Sequence, residues 1–281
     1  MILYKYLPPA RTDVILNGKI RFTQYGDFND PFELNPNINK IAEVNEIKEL
    51  VKKDFVNLIE KEYHKSAAQA FISKEAFIQL AQMGEEFVKN SVVDIEPDIV
   101  TLLPEMLQKT ANSLLGAISL SEICDHELMW SHYAEEHKGY AIGFDRSHSF
   151  FDQKKYSVDE LGHLKKIDYR ESRPEINLMK TMGAELFFVK SLIWEYESEW
   201  RMILPLSDSS ETIDKQPFPI YLFAFPPESV NRIIFGTKMN PETKKSIKSK
   251  LKNDKNLNHV ELYQSRLDCL SYRILIEEEK S

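Results

Sequence analysis

The sequence predicts an α+β protein, a mostly antiparallel central sheet flanked by helices, with a helical insertion at about residues 40–115. Three observations carry this. Glycine nearly vanishes in the middle of the chain, where Gly84 alone stands between Gly26 and Gly116. Apolar residues in that stretch recur at helical spacing, at Ile41, Val44, Ile47, Val51, Phe55 and Ile59. After Gly116 the pattern changes to short apolar runs broken by turn residues, which read as strands.

The elements follow in order. Residues 1–35 read as extended and turn-rich: Val14, Ile15 and Leu16 run into the turn signal Asn17-Gly18, and Lys19 to Phe22 forms a short strand. In the insertion, Phe77, Leu80, Ala81, Phe87 and Val88 mark a second helix, and Pro104 suits the first turn of a third. Ala117 to Ser121 reads as a strand. Asp125 caps a helix through Glu136, and Gly139 ends it before a buried strand at Tyr140 to Phe144. Lys166 to Tyr169 is a further strand, and Pro174 opens a helix to about Lys190. Glu195–Leu204, Ile220–Phe225, Val230–Phe235, His259–Tyr263 and Tyr272–Glu277 complete the strands, with a helix capped by Asn240-Pro241 among them. With neither repeat nor low-complexity linker, residues 1–281 read as one domain carrying a helical elaboration.

Composition narrows the function classes. The 281 residues are 42% hydrophobic and 28% charged, enough for a full core. A net charge of -8 argues against broad nucleic-acid binding, which needs clustered lysine and arginine. The lysine-rich stretch Lys238–Lys255 has the spacing of a solvated helix face. Two distant cysteines, Cys124 and Cys269, suggest neither a disulfide framework nor a cysteine metal site. The first residues lack a signal-peptide pattern, and no apolar run approaches the ~20 residues of a membrane span. Cytoplasmic residence is the expectation.

Three segments carry the candidate chemistry. If Glu195–Arg201 is a strand, Trp194, Tyr196, Ser198 and Trp200 share one face, and Glu195, Glu197, Glu199 and Arg201 the other. Glu197 and Glu199 would then lie roughly 6–7 Å apart and raise one another's pKa unless a cation answers them. Such a pair suits stabilising a positive charge or orienting a sugar hydroxyl; the plainer reading is a charged edge strand. In the second segment, Trp130 and Tyr133 are helical neighbours, and His132 sits beside Glu136 at i+4, as a general base or one metal ligand. A packed aromatic helix with a satisfied histidine is the equal alternative. In the third, Arg21 precedes a turn containing Asn29 and Asp30. The arginine could grip a phosphate at two points, or the turn residues could simply bond their own backbone.

The strings FNDPFE (28–33), LMWSHYAEEHKGYAIGFD (128–145) and WEYESEWR (194–201) resemble the bacterial domain-of-unknown-function family 2971. The opening YKYL and the later RIIFG (232–236) fit the same pattern, so the resemblance spans nearly the whole chain. The family name supplies no activity. A second resemblance, to ADP-ribosyltransferases of the arginine–serine–glutamate type, rests on Arg21, Ser119-Leu120-Ser121 and Glu197-Ser198-Glu199 in that order. It implies that Arg21 grips the phosphates of NAD and that Ser119 or Ser121 braces the nicotinamide ribose. Glu199 then stabilises an oxocarbenium-like transition state, Glu197 orients or deprotonates the acceptor, and Trp130 or Tyr133 stacks on nicotinamide. The likeness leaves His132 and Arg201 without a role.

The expected function is therefore an NAD-consuming transferase or glycohydrolase, a toxin or defence effector, binding a small nucleotide-like ligand and no membrane. Two alternatives stand beside it. One is a metal-dependent hydrolase using His132 with Asp30, Glu197 or Glu199, although no metal ligand set is specified by the spacing. The other is a non-catalytic binding module.

Overall fold

The computed structural model describes residues 1–35, 37–65, 73–82, 85–177 and 183–279. By its internal contacts the chain resolves into two compact units. One comprises Met1–Leu34, Gln108–Ser172 and Ala184–Ser281; the other comprises Asn35–Leu107 and Arg173–Gly183.

The first unit is built on an eight-stranded mixed sheet. Its strands are β1 (Ile2–Leu7), β4 (Leu115–Ser121), β5 (Tyr140–Asp145), β6 (Lys165–Lys166), β10 (Glu199–Pro205), β13 (Val230–Phe235), β14 (Glu261–Leu267) and β15 (Ile274–Glu278). Their spatial order is β15-β14-β13-β5-β1-β4-β10-β6. Only β13 and β14 run parallel; the other neighbours are antiparallel. A second sheet joins β2 (Lys19–Phe22), β11 (Glu211–Ile213) and β12 (Ile220–Ala224). Two short parallel strands, β7 (Asp168–Arg170) and β9 (Val189–Ser191), pair with each other.

Alternation along the strands assigns the two faces of the large sheet. Ile118, Leu120, Ile142, Phe144, Met202 and Leu204 turn to one side, where α1 (Asp13–Asn17) brings Val14 and Ile15 and α6 (Pro241–Asn253) brings Ile247 and Leu251. Tyr4, Tyr6, Ala141 and Ile234 turn to the other, where α5 (Glu127–Tyr133) brings Met129 and Trp130. Each fully buried apolar side chain contributes roughly 1.5–3 kcal/mol, so both faces help hold the sheet. The fold is α+β, as the sequence predicts.

The second unit contains α2 (Val44–Lys65), α3 (Lys74–Gln82) and most of α4 (Glu85–Leu114), with a two-stranded parallel sheet of β3 (Asn37–Lys40) and β8 (Glu175–Asn177). The expected helical stretch is present. Pro104 lies inside α4, not at a first turn.

Four local expectations are corrected. Val14–Leu16 is helical, because Val14 and Ile15 bury into the core and Gly18, at φ 64, closes the turn by donating to Val14 O. Pro174 opens no helix: Glu175–Asn177 is β8, residues 178–182 lie outside the described residues, and Ala184–Phe188 is a 3-10 turn. The helix expected through Glu136 is capped by His126 instead of Asp125 and stops at Tyr133. Glu135, Glu136 and His137 all take left-handed backbone, at φ 47, 54 and 71. The strand expected from Glu195 begins only at Glu199. No helix among the described residues is long and apolar enough to cross a membrane.

Candidate functional site

The site is organised by a short turn. Leu192–Glu197 forms a 3-10 helix, and Ser198 then takes left-handed backbone at φ 43 before β10 begins. The turn is fastened from β4: Ser121 Oγ donates to the carbonyl of Glu197 at 2.6 Å, and the Glu122 amide donates to that of Ser198 at 3.1 Å. The anticipated tryptophan face therefore does not exist. Trp194 and Tyr196 belong to the turn, while Trp200 lies in β10 and donates from Nε1 to Glu122 at 2.7 Å.

What the turn achieves is convergence of Glu197 and Glu199. Lys190, from β9, meets Glu197 at 2.6 Å, Glu199 at 3.2 Å and Glu33 at 3.0 Å. Arg201, two residues along β10 from Glu199 and on the same face, closes the network. Its Nε donates to Glu199 at 2.7 Å, Nη2 meets Glu33 at 2.8 Å, and Nη1 donates to the Phe187 carbonyl at 2.9 Å. None of these five side chains is more than 6% exposed.

Three carboxylates thus face two cations, and their protonation differs accordingly. For Glu199, burial pushes the pKa upward, but Arg201 and Lys190, with hydrogen bonds from Arg201 and Ser119, reverse this and hold it at about 2. Glu33 goes the other way. Burial and the neighbouring Glu199 charge raise its carboxyl despite Arg201 and Lys190, so it is the member of the cluster that most readily takes up a proton. Lys190, although desolvated, is held firmly protonated by Glu199, Glu33 and Glu197. Tyr133 completes the edge of the network, donating to Glu197 Oε1 and accepting from Asn29 Nδ2 at 2.8 Å.

A pocket of about 260 Å³ opens onto this cluster, lined by Lys5, Asn29, Ser119, Tyr133, Glu197 and Glu199 among others. It exists because the sheet splits. β1 pairs with β4 only at Tyr4↔Ser121, then follows β5 through six register positions. Past the split, the Ser119 carbonyl is answered by the Lys5 ammonium at 3.1 Å. Burial lowers the Lys5 pKa to about 8, with Arg11 and Arg21 adding to the effect and Glu199 and Glu197 opposing it.

A second chamber of about 520 Å³ shares Lys5, Tyr6, Thr23 and Tyr133 with the first and is also lined by Arg11, Arg21 and His132.

With this geometry in view, one comparison speaks. Residues 129–202 match a family model described as protein of unknown function (DUF2971). No curated protein and no solved structure matches the chain. The DUF2971 segment supplies Tyr133, Lys190, Glu197, Glu199 and Arg201. It takes in nearly all of 128–145 and the whole of 194–201, and leaves FNDPFE, YKYL and RIIFG outside. Lys5, Glu33 and Ser119 thus come to the cluster from outside the DUF2971 match.

Of the residues expected from sequence, Glu197, Glu199, Arg201, Tyr133, Asn29, Ser119 and Ser121 line this one pocket. Ser121 spends its hydroxyl on the Glu197 carbonyl, and the buried Asp30 accepts from the Phe32 amide through Oδ1. Trp130 is fully buried, donating to the Cys124 carbonyl at 2.8 Å, and does not reach the pocket. Arg21 stands on β2, in the other sheet, where it pairs with Asp27 at 2.5 Å and lines only the second chamber. His132 is also on that chamber, exposed, with Nδ1 3.1 Å from Tyr196 Oη. Since α5 ends at Tyr133, Glu136 is not its helical neighbour. Among the described residues no group of three or more histidines, cysteines and acids could hold a metal ion.

Sequence reasoning passed over Lys5, Glu33 and Lys190. Glu33 lay inside FNDPFE without a partner to suggest it, and Lys190 fell at the end of a helix that does not form. Lys5 did leave a signal, as a charge in the middle of the strand Leu3-Tyr4-Lys5-Tyr6-Leu7, where its four neighbours are buried.

Proposed function

We propose that the cleft between β1 and β4 binds NAD and cleaves its nicotinamide–ribose bond, as a transferase or a glycohydrolase. One observation carries the reading: Ser119 and Glu199 face the same pocket from adjacent strands, at the point where the sheet opens. The order of serine pair and glutamate pair that resembles ADP-ribosyltransferases is thereby converted into proximity. Lys190 and Arg201 stand against Glu199 and Lys5, on the first strand, against Ser119, while Arg21 is not on this lining.

In this reading the C–N glycosidic bond breaks with its electron pair going to the ring nitrogen. The pyridinium leaves as neutral nicotinamide and needs no acid. Positive charge develops on the ribose, and Glu199, kept ionised by Arg201 and Lys190, stabilises it. Glu199 accepts from Lys190 and Arg201, one on each oxygen, and from Ser119, and a carboxylate's remaining lone pair is left for a ribose hydroxyl. Glu197, oriented by Tyr133 and Lys190, takes the proton of the attacking water or acceptor.

The test is release of nicotinamide from NAD by the purified protein, followed chromatographically. Wild type releases it; Glu199→Gln and Glu197→Gln lose turnover, with circular dichroism confirming that they fold. NAD binding without release would favour the non-catalytic module. The absence of both NAD binding by calorimetry and nicotinamide release would overturn the reading. The metal-dependent alternative gains nothing from the geometry, because Lys190 and Arg201 already engage the carboxylates it needs.

A further inference from the structure

We propose that the outer edge of β15 is a dimer interface, through which two copies of this chain join their large sheets about a two-fold axis. That edge lies beyond β5, β13 and β14 from the cleft, and the inference does not depend on what the cleft binds.

The first observation concerns the backbone. β15 is the last strand of the eight-stranded sheet, and among the described residues no strand pairs with its outer side. Its bonding direction is fixed at both ends. The Asp268 amide donates to the Arg273 carbonyl at 3.0 Å, and the Glu279 amide donates to that of Leu262 at 2.8 Å. Odd-numbered residues therefore bond to β14, and by alternation the N–H and C=O groups of Ile274, Ile276 and Glu278 face outward. An open row of this kind is a template for another strand.

The second is the order of side chains along that row. Edge strands are commonly blunted by a charge at mid-strand. Here the middle is Ile274-Leu275-Ile276, and charge stands only at the ends, Arg273 before it and Glu277-Glu278 after it. Leu275 is 41% exposed, and Tyr272 and Leu267 on the same hairpin are more exposed still.

The third is that this order is its own complement. In an antiparallel two-fold pairing centred on Leu275, that residue meets its counterpart at the axis. Ile274 then stands opposite Ile276 of the other copy, exchanging both backbone hydrogen bonds, and Arg273 stands opposite Glu277. Among the described residues Arg273 enters no ion pair, while Glu277 has an exposed one, with Arg266 at 2.9 Å. The other acids are answered too. Glu279 holds Lys244 and Lys248 within its own chain, and Glu278 falls opposite Tyr272, whose phenol is a donor. A pairing centred on Ile276 instead would set Ile274 against Glu278 and Leu275 against Glu277, so charge selects the first register. The occupant this edge asks for is a basic residue, an apolar run and an acid in antiparallel sense, which is what the edge itself offers.

The experiment is sedimentation velocity on the whole chain over a rising concentration series. Wild type should pass from monomer to dimer and stop there. Leu275→Lys sets two ammonium groups against each other at the axis, and Arg273→Glu sets an acid against Glu277. Each should weaken dimerisation at least about tenfold while still melting cooperatively, as exposed positions allow. Combining Arg273→Glu with Glu277→Lys should restore most of the association. A monomer at every concentration, or a dimer unmoved by both single variants, would overturn the proposal. So would failure of the charge exchange to restore association, or growth past the dimer, which marks a contact that does not close.

Discussion

Glu199 and Glu33 meet the same two cations yet hold their protons differently, and this difference can be measured. Glu199 is held at about 2, below its ordinary 4.5, so its contribution is fully present above about pH 4.5 and is lost as pH falls toward 2. Glu33 is shifted upward, so its buried charge is unfavourable at neutral pH and is relieved by protonation. Glu199→Gln removes a carboxylate that both Lys190 and Arg201 engage in a buried network, and breaking such a pair costs about 3–5 kcal/mol. It should lower the melting temperature at pH 7 by on the order of 10 °C. Glu33→Gln replaces a carboxyl whose environment already favours the uncharged form and should cost clearly less. Thermal melts from pH 7 to pH 3 should show the gap between the two variants closing as Glu199 protonates. An equal loss at pH 7 would mean that Glu33, like Glu199, is needed as an ion against Lys190 and Arg201.

Lys5 gives the opposite signature. Its folded value of about 8 lies below its ordinary 10.5, so between these limits the unfolded chain holds the extra proton and stability rises with pH. Lys5→Met should flatten that rise relative to wild type, a comparison in which the buried tyrosines cancel. It should melt no lower than wild type at pH 7, because a desolvated ammonium is removed. A lower melting point would assign Lys5 to the scaffold.

At the scale of elements, the abrupt end of α5 sets the site. Had the helix continued to Glu136, Tyr133 would sit mid-helix and the chain would enter β5 a turn later. Instead the left-handed residues 135–137 lead into Gly139, whose position allows no side chain: a Cβ there would collide with the carbonyl of Leu7 on β1. The atoms a Cβ would meet, on Leu7 and Pro8, are all backbone, so no rotamer change relieves the clash. Gly139→Ala should therefore disturb the β1–β5 pairing that carries Lys5 into the cleft. The expected result is a lower melting temperature together with loss of the proposed nicotinamide release from NAD. Wild-type values for both would show that β1 has room to move.

For the first unit as a whole, the decisive feature is a sheet that is continuous from β5 to β1 and interrupted from β1 to β4. The six-position β1–β5 register and the seven-position β4–β10 register are each complete, and one pair of residues joins them. Two rigid half-sheets meeting at one position provide fixed walls for a ligand that fills the gap. Hydrogen exchange should find the β1–β5 and β5–β13 amides slowest, with amides of β4 that face the split faster. Those amides should slow on addition of a cleft ligand such as ADP-ribose. No change at β4 with a ligand that demonstrably binds would place the site elsewhere.

The sequence by itself determined the periodicities and the candidate residue types. The glycine-poor helical stretch, the strands at 117–121, 140–144 and 230–235, the Asn240 cap and the pairing of Glu197 with Glu199 were all local patterns, and local patterns are readable. Tertiary structure alone decided where charges found their partners. Lys190 joined Glu33, Glu197 and Glu199 because a turn at Ser198 bent the chain out of the strand that the alternation of residues 195–201 implied. Arg21 went to a different sheet from Ser119 because strand partners are chosen over long separations. Lys5 became the cation of the cleft because β1 parts from β4 beyond Tyr4. Buried ion pairs and split ladders are set by which distant segments must share a desolvated space, and one sequence read along its length does not contain that neighbour list.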